Sequence, residues 1–174
     1  MLNRIVLFFV FLGIFSTSFA IGAEVQVSEE ESKIILEQLE TLIGNIDAVG
    51  IFSHNTTLAL PMFIPGFGIA WGAFAAFSTG MAFSVLKDAS PMLANVPSLT
   101  TLFMSPFGLM EVAAYSIAMS RSYMILHKMI NRMPIRPDYR IIGIEIAILV
   151  GLLLAGGFVE YYFIENIPTD SPKI

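Results

Sequence analysis

The chain has 174 residues, of which 56% are hydrophobic and only 13% are charged, and its formal net charge is −5. A soluble domain carries about 25% charged residues, and a soluble fold of this size could not hide so much apolar surface. The composition therefore predicts one compact membrane domain in contact with the lipid bilayer. The sequence has no dense Lys/Arg patch with interleaved aromatic residues, which argues against a nucleic-acid partner. The absence of cysteine excludes disulfides and thiolate metal sites.

The first segment, residues 1–23, places Arg4 before a continuous apolar stretch that ends in small residues. The stretch is long enough to span the membrane as a signal anchor. It also has the basic start, apolar centre and small-residue end of a secretory signal peptide. We favour the uncleaved span, and both alternatives stay open. In either case Arg4 is expected to stay inside and the following chain to lie outside.

Residues 24–53 are predicted to form an acidic amphipathic helix on the outer surface. Ser28 and Glu31 have the spacing of a capping box. Apolar residues then recur at helical spacing, at Ile35, Leu39, Leu42, Ile46 and Val49. We expect this helix to lie on the membrane surface or to pack on its own bundle. The functional alternative is a helix that binds a partner or acts as a lid.

The stretch from His54 to Phe83 is almost wholly apolar, but Pro61 and Pro65 interrupt it. Each proline removes a backbone donor. About thirty residues are too many for one ordinary span and too few for two straight ones, because a span takes about 20 residues. The stretch therefore predicts a broken or re-entrant hairpin with one short arm. The four polar residues 54–57 are expected to start its first helix at the outer interface.

Two more membrane segments are predicted after the hairpin. Residues 87–100 are expected to form a loop, and the next helix is expected to begin near Pro106 and run to Lys128. The last span is predicted at 141–163. The tail, 164–174, is expected to be short and frayed.

The loop at 127–140 tests this topology, because it carries four bases, namely Lys128, Arg132, Arg136 and Arg140. Short loops rich in Lys and Arg stay cytoplasmic. If 54–86 crossed the membrane once, this loop would lie outside, whereas a hairpin returns it to the inside. We therefore predict an all-α, polytopic helical bundle of the cell membrane. It has about five membrane segments, with the membrane helical domain at 54–163, the N-terminus inside and the C-terminus outside.

Three ionisable residues stand within apolar spans: Glu111, Arg121 and Glu145. A charge at the bilayer centre costs about 2.5–3.5 kcal/mol on insertion scales, so such residues usually face the bundle interior and find partners. Their depths predict an Arg121–Glu145 pair near the inner face. Near the outer face they predict a hydrogen bond between His54 and Glu111, with Asn55 nearby.

These polar groups allow two interpretations. The functional one is a proton or metal site formed by His54, Glu111 and Glu160, since one histidine and two carboxylates could bind a divalent ion. We favour the structural one, in which polar groups join helices and contribute about 0.6 kcal/mol per contact. The sequence contains no Gly-x-Ser-x-Gly, His-Glu-x-x-His or Walker A motif. We therefore expect no enzymatic activity, cofactor or metal.

The order of segments, together with two short motifs, resembles the stage II sporulation protein M family of integral membrane proteins. In that family a pair of asparagines usually opens the second segment, and His54-Asn55 stands there in this chain. The family's Pro-His-Gly-x-x-Glu has its counterpart in Pro106, Gly108 and Glu111, with Phe107 in place of the histidine. The resemblance covers most of residues 30–163.

The resemblance implies a membrane scaffold, because the sporulation member looks like one that holds cell-wall hydrolases during engulfment. Many other members, often encoded beside membrane export systems, have no assigned activity. Our first expectation is a non-enzymatic scaffold or accessory subunit of a membrane complex, whose partners are other membrane proteins or a second copy of the chain. The alternative is a small transporter or channel component with a site near Glu111, because discontinuous helices mark substrate sites in transporters.

Overall fold

The computed structural model describes residues 3–43, 46–90, 93 and 96–166, which are all-α without strands. The helices are α1 (Arg4–Gly22), α2 (Glu29–Ile43), α3 (Ala48–Ala59), α4 (Phe67–Ala89), α5 (Ser98–Met104), α6 (Pro106–Ile130) and α7 (Tyr139–Asn166). Short 3₁₀ turns at Leu60–Phe63 and Arg136–Asp138 lead towards α4 and into α7.

Within the described residues, three helical stretches are long and apolar enough to cross a membrane: α1, α4, and the last helix counted from Arg136. The two helices α5 and α6 meet at 89°, and together they pass the same test. If they count as one bent span, the number of candidate spans rises to four. The predicted all-α class is confirmed, and these apolar helices fit the predicted membrane bundle. Helix α3 has 12 residues, so it is about 18 Å long and shorter than a hydrocarbon core of about 30 Å.

Helix α1 packs against α4 and α6. One face of α1 is buried and carries Leu7, Phe11, Phe15 and Phe19, which recur at intervals of four residues. The opposite face, with residues such as Ile5 and Phe9, is exposed and equally apolar. A helix that is apolar on every side is typical of a membrane span, because lipid takes the place of water around it.

The backbones of α1 and α4 touch at two glycines. A Cβ atom added to Gly22 would lie 2.1 Å from the carbonyl oxygen of Phe77, and one added to Gly80 would lie 2.1 Å from that of Phe19. Small residues allow this approach where the hydrophobic effect gives helices little reason to associate. The two ends of the bundle are named below from α1, as the Arg4 end and the Gly22 end.

Helix α3, the first 3₁₀ turn and α4 run towards the Arg4 end and back, which is compatible with the predicted broken hairpin. At its tip Gly66 has a φ of 80°, a conformation that glycine adopts without strain. The hydroxyl of Ser122 on α6 donates to the carbonyl of Ile64 at 2.6 Å and accepts from the amide of Gly66 at 3.0 Å. The indole of Trp71 donates to the carbonyl of Leu58 at 2.9 Å. Helix interruptions in membranes require such partners.

The capping box at the start of α2 is confirmed. The Ser28 hydroxyl donates to Glu31 at 2.7 Å, and the backbone amide of Ser28 donates to the same carboxylate at 3.3 Å. The continuous helix predicted through Val49 is wrong. Helix α2 ends at Ile43, and Val49 belongs to α3, where it is 57% exposed.

The predicted start of the hairpin helix at 54–57 is also wrong. Helix α3 begins at Ala48, because the Asp47 carboxylate accepts from the amide of Gly50 at 2.7 Å and caps the first turn. An aspartate in this position satisfies an amide that has no partner within the helix. His54 therefore lies in the middle of α3.

The loop predicted at 87–100 is too long. Helix α4 continues to Ala89, and the unpredicted α5 begins at Ser98. Helix α6 begins at Pro106, as predicted, and continues two residues past the expected end, to Ile130. Helix α7 likewise continues into the predicted tail, as far as Asn166. The rest of that tail, 167–174, lies outside the described residues.

Candidate functional site

The first polar cluster, at the Arg4 end, is built on the carboxylate of Glu145. Arg121 binds it through two bonds, from Nε to Oε2 at 2.5 Å and from Nη2 to Oε1 at 2.7 Å. Arg4 adds a third bond from its Nε to Oε1 at 2.8 Å. Bidentate arginine–carboxylate pairs are among the strongest hydrogen-bonded contacts in proteins. The cluster therefore joins α1, α6 and α7 at one point.

This cluster is deeply buried: Arg121 is 2% exposed and Glu145 is 8% exposed. Arg4 also donates to the Ser120 hydroxyl at 2.5 Å and to the Ile117 carbonyl at 3.3 Å. The depths of the two α6 and α7 residues predicted the Arg121–Glu145 pair, but not the contribution of Arg4. The missed signal is the position of Arg4 at the inner start of the first span, at the level where Glu145 was expected.

A second ion pair at the Arg4 end was missed as well. Lys128 Nζ lies 2.5 Å from Asp138 Oδ2 and joins the last turn of α6 to the 3₁₀ turn before α7. Lys128 and Asp138 flank the short loop between α6 and α7. Their opposite charges and closeness in sequence are the signal that could have predicted the pair. The exposed bases of this region are Arg132, Arg136 and Arg140.

The second polar cluster, towards the Gly22 end, joins α3 to α6. The side-chain amide of Asn55 donates to Glu111 Oε1 at 2.6 Å. The predicted partner of Glu111, His54, is exposed and makes no hydrogen bond within the described chain. Consecutive residues of a helix point about 100° apart. The early start of α3 thus turns Asn55, rather than His54, towards α6.

A cavity of about 330 Å³ lies beside the Asn55–Glu111 pair. Its wall is mostly apolar and is formed by residues of all seven described α-helices and the first 3₁₀ turn, with Leu39 of α2 covering one side. The polar groups of the wall are His54, Asn55, Thr79, Glu111, Tyr115 and Glu160. Helix α2 packs against α4, so it lies on its own bundle, which was one of the two arrangements expected for it.

Two carboxyl groups line the cavity, and among the described residues of its wall there is no Lys or Arg. Glu160 of α7 lines the same cavity as Glu111 and Tyr115. In the part of the chain that the structure describes, neither carboxyl forms an ion pair. Tyr115 is only 6% exposed and its ring lies 5.2 Å from that of Phe15.

A metal site at His54, Glu111 and Glu160 is not formed. Over residues 3–43, 46–90, 93 and 96–166, no three His, Asp or Glu side chains come together in a group that could hold a metal ion. What the cavity offers chemically is a set of oxygen acceptors, two carboxyl groups among them, and aromatic rings. Such a wall suits a ligand that donates hydrogen bonds and carries positive charge.

The motif residues Pro106 and Gly108 shape the corner between α5 and α6. Pro106 is the first residue of α6, and the Ser105 hydroxyl caps the helix by accepting from the amide of Gly108 at 3.1 Å. A Cβ atom on Gly108 would lie 2.5 Å from the carbonyl oxygen of Leu102. The corner starts α6 so that Glu111 lies within its second turn. The ring of Phe107 on α6 lies 6.2 Å from that of Phe163 on α7, at an angle of 57°.

Comparisons with known proteins return no relatives. No protein-family model matches the chain, and neither the curated proteins nor the solved structures include a match.

Proposed function

We propose that the protein is a small transporter or channel component whose site is the cavity beside Glu111. The observation that supports this most is the cavity itself, which holds Glu111 and Glu160 next to the broken hairpin. Ionisable residues at membrane depth usually mark a pathway or a binding site. Discontinuous helices line such sites in transporters. The scaffold role expected from the sequence becomes the second candidate, because a scaffold does not require a cavity lined by carboxyl groups.

In this proposal the chain has five segments in the cell membrane, and α3 with its 3₁₀ turn is the short fifth one. The Arg4 end faces the cytoplasm and the C-terminus lies outside. The support is the basic cluster at the Arg4 end, which follows the positive-inside rule. Residues 1–23 remain as a span. The support for that is the bond from Arg4 to Glu145 and the burial of one face of α1.

The test is uptake into proteoliposomes, with a panel of cationic, neutral and anionic solutes and with an imposed ion gradient. The wild-type protein is expected to transport a member of the panel. Glu111→Gln keeps the size of the side chain and removes the carboxyl, and we expect it to reduce uptake at least tenfold. The matched control is Glu165→Gln, because Glu165 is an exposed carboxylate outside the cavity.

Two results would count against this function. Uptake that survives Glu111→Gln unchanged would remove the cavity carboxyl from the mechanism. A properly folded protein that moves no solute under any gradient would contradict the transport class. A loss of uptake in both the Glu111 and the Glu165 variants would point to damaged reconstitution, which gel filtration before reconstitution detects.

The second candidate is a non-enzymatic scaffold or accessory subunit of the stage II sporulation protein M family. Its support is the exposure of opposite charges on different parts of the bundle. Exposed acidic side chains such as Glu37 and Glu40 lie on α2, and the exposed bases Arg132, Arg136 and Arg140 lie at the Arg4 end. Separate surfaces of opposite charge suit two different partners. Family membership rests on the Pro-x-Gly-x-x-Glu motif and the order of segments.

The scaffold candidate predicts partners that crosslink in native membranes and co-purify in mild detergent. Replacing Arg132, Arg136 and Arg140 together by Ser should abolish enrichment of an inner partner. The corresponding Glu-to-Gln changes at Glu37 and Glu40 should leave that partner in place. Enrichment that is identical in both variants would speak against recognition through these charges.

A further inference from the structure

The wall of the cavity also indicates the chemical class of its ligand. We infer that the cavity binds a small organic ammonium ion with an apolar body, held by Glu111, Glu160, Asn55 and Tyr115. This inference rests on the proposed function, since it names the substrate class of the same site.

The first argument is charge. Among the described residues, two carboxyls line the cavity, no Lys or Arg does, and His54 is the one lining residue that could carry a positive charge. Burying a carboxylate away from water is costly unless a cation or hydrogen-bond donors compensate for it. The site therefore favours a positively charged occupant and opposes an anion.

The second argument concerns two polar side chains of the wall that keep unused hydrogen-bonding capacity within the described chain. Tyr115 is 94% buried, as its 6% exposure shows, and among the described residues its hydroxyl makes no hydrogen bond. Asn55 is 9% exposed; its NH₂ group binds Glu111, and its carbonyl oxygen receives no donor from the described chain. Buried polar groups are normally hydrogen-bonded. Two acceptors that face the cavity thus call for a donor within it.

The third argument is the shape and polarity of the remaining wall. About 330 Å³ is the lower end of the range for small-molecule pockets, so the ligand is small. The rings of Phe15 and Tyr115 stand 5.2 Å apart on one side, and aromatic faces attract ammonium groups. An ammonium group donates N–H hydrogen bonds to the oxygens, and its positive charge attracts the carboxyls. An apolar body attached to it can pack against the rest of the wall.

A bare metal ion fits less well. The described side chains of His54, Glu111 and Glu160 do not form a metal-ligand group, and the largely apolar wall would leave much of a hydrated ion without partners. The geometry thus favours a ligand with carbon atoms over a metal ion.

The experiment is a binding titration on the purified full chain in detergent, followed by calorimetry. The probe is 2-phenylethylammonium, and its matched comparisons are neutral 2-phenylethanol and anionic phenylacetate, which share the apolar body. We expect the ammonium ion to bind at least tenfold more tightly than either comparison. Glu111→Gln and Glu160→Gln should each weaken it at least tenfold. Tyr115→Phe, which deletes one oxygen, should weaken it several-fold.

Glu40→Gln is the control, since it removes an exposed carboxylate from the helix that covers the cavity. If Glu111→Gln fails to fold, Glu160→Gln and Tyr115→Phe still decide the question. Equal binding of the three probes, absence of binding at millimolar concentrations, or ammonium binding that survives both carboxyl substitutions would overturn the inference. Uptake of another solute that depends on Glu111, without ammonium binding, would overturn the ligand class and leave the proposed function standing. Ammonium binding without any uptake would support the ligand class and contradict the proposed transport function.

Discussion

Two glutamates of this chain, Glu145 and Glu111, show how differently one side chain can be used inside a membrane bundle. Glu145 receives three bonds from Arg4 and Arg121, whereas the described partner of Glu111 is the neutral amide of Asn55. Sequence reasoning found the Arg121–Glu145 pair because the rise per residue fixes depth along a helix. It chose His54 in place of Asn55 because depth does not fix which way a helix face points. That direction depends on where neighbouring helices lie.

At the residue scale we predict that Glu145→Gln destabilises the protein strongly. The substitution leaves the buried guanidinium of Arg121 without its carboxylate, and breaking a buried pair from one side costs about 3–5 kcal/mol. Thermal unfolding in detergent micelles, followed by circular dichroism, measures the loss. The control is Glu165→Gln on the same helix, where the side chain is exposed, and there we expect an unchanged melting curve. Equal melting temperatures of the two variants would show that the arginine cluster contributes little to stability.

At the element scale, the structure is compatible with the predicted hairpin, whereas the short helices were predicted poorly. Pro61 and Pro65 remove backbone donors, so they signal a break whatever surrounds them. Helix α5 has seven residues, which is too short for an apolar period to stand out. The border between α2 and α3 was missed because the apolar spacing continues across it. The capping residue Asp47, which marks the border, was not recognised.

The contact of α1 with α4 gives a prediction at this scale. Gly80→Ala would bring a Cβ atom to 2.1 Å from the Phe19 carbonyl oxygen, and backbone cannot move aside as a flexible side chain can. We expect the two helices to separate at a cost of about 1–3 kcal/mol. In the matched variant Gly151→Ala, the added atom meets nothing within 4 Å. Alanine is the better helix former there by about 1 kcal/mol. Thermal unfolding should therefore rank Gly151→Ala at or above wild type and Gly80→Ala below it; the opposite order would refute the close packing.

At the scale of the whole molecule, the sequence predicts whether the number of membrane crossings before the loop at 127–140 is odd or even, but it does not predict the cavity. The number of crossings is argued from the bases of that loop, which can be counted in the sequence. The cavity depends on residues from most of the helices, among them Phe15, Glu111 and Glu160, which are far apart along the chain. No local period brings such residues together. Their meeting follows from how the helices pack.

The orientation of the molecule can be tested directly, because the chain has no cysteine and a single introduced one is a unique label. We predict that Glu37→Cys reacts with a membrane-impermeant maleimide in intact cells and that Met133→Cys reacts after lysis. Both positions are exposed, so a failure to react reports the side of the membrane. The reverse pattern would invert the topology, and labelling of both in intact cells would contradict the number of crossings. The intact mass of the same preparations should include residues 1–23.

The contact of Ser122 with the hairpin tip has a consequence for biogenesis. The amide of Gly66 and the carbonyl of Ile64 leave the ribosome 56 and 58 residues before the hydroxyl that binds them. In hydrocarbon an unsatisfied backbone group costs several kcal/mol. A nascent chain that ends before Ser122 therefore carries a tip that is unfavourable at membrane depth. We therefore predict that the insertion of the hairpin is coupled to the synthesis of α6.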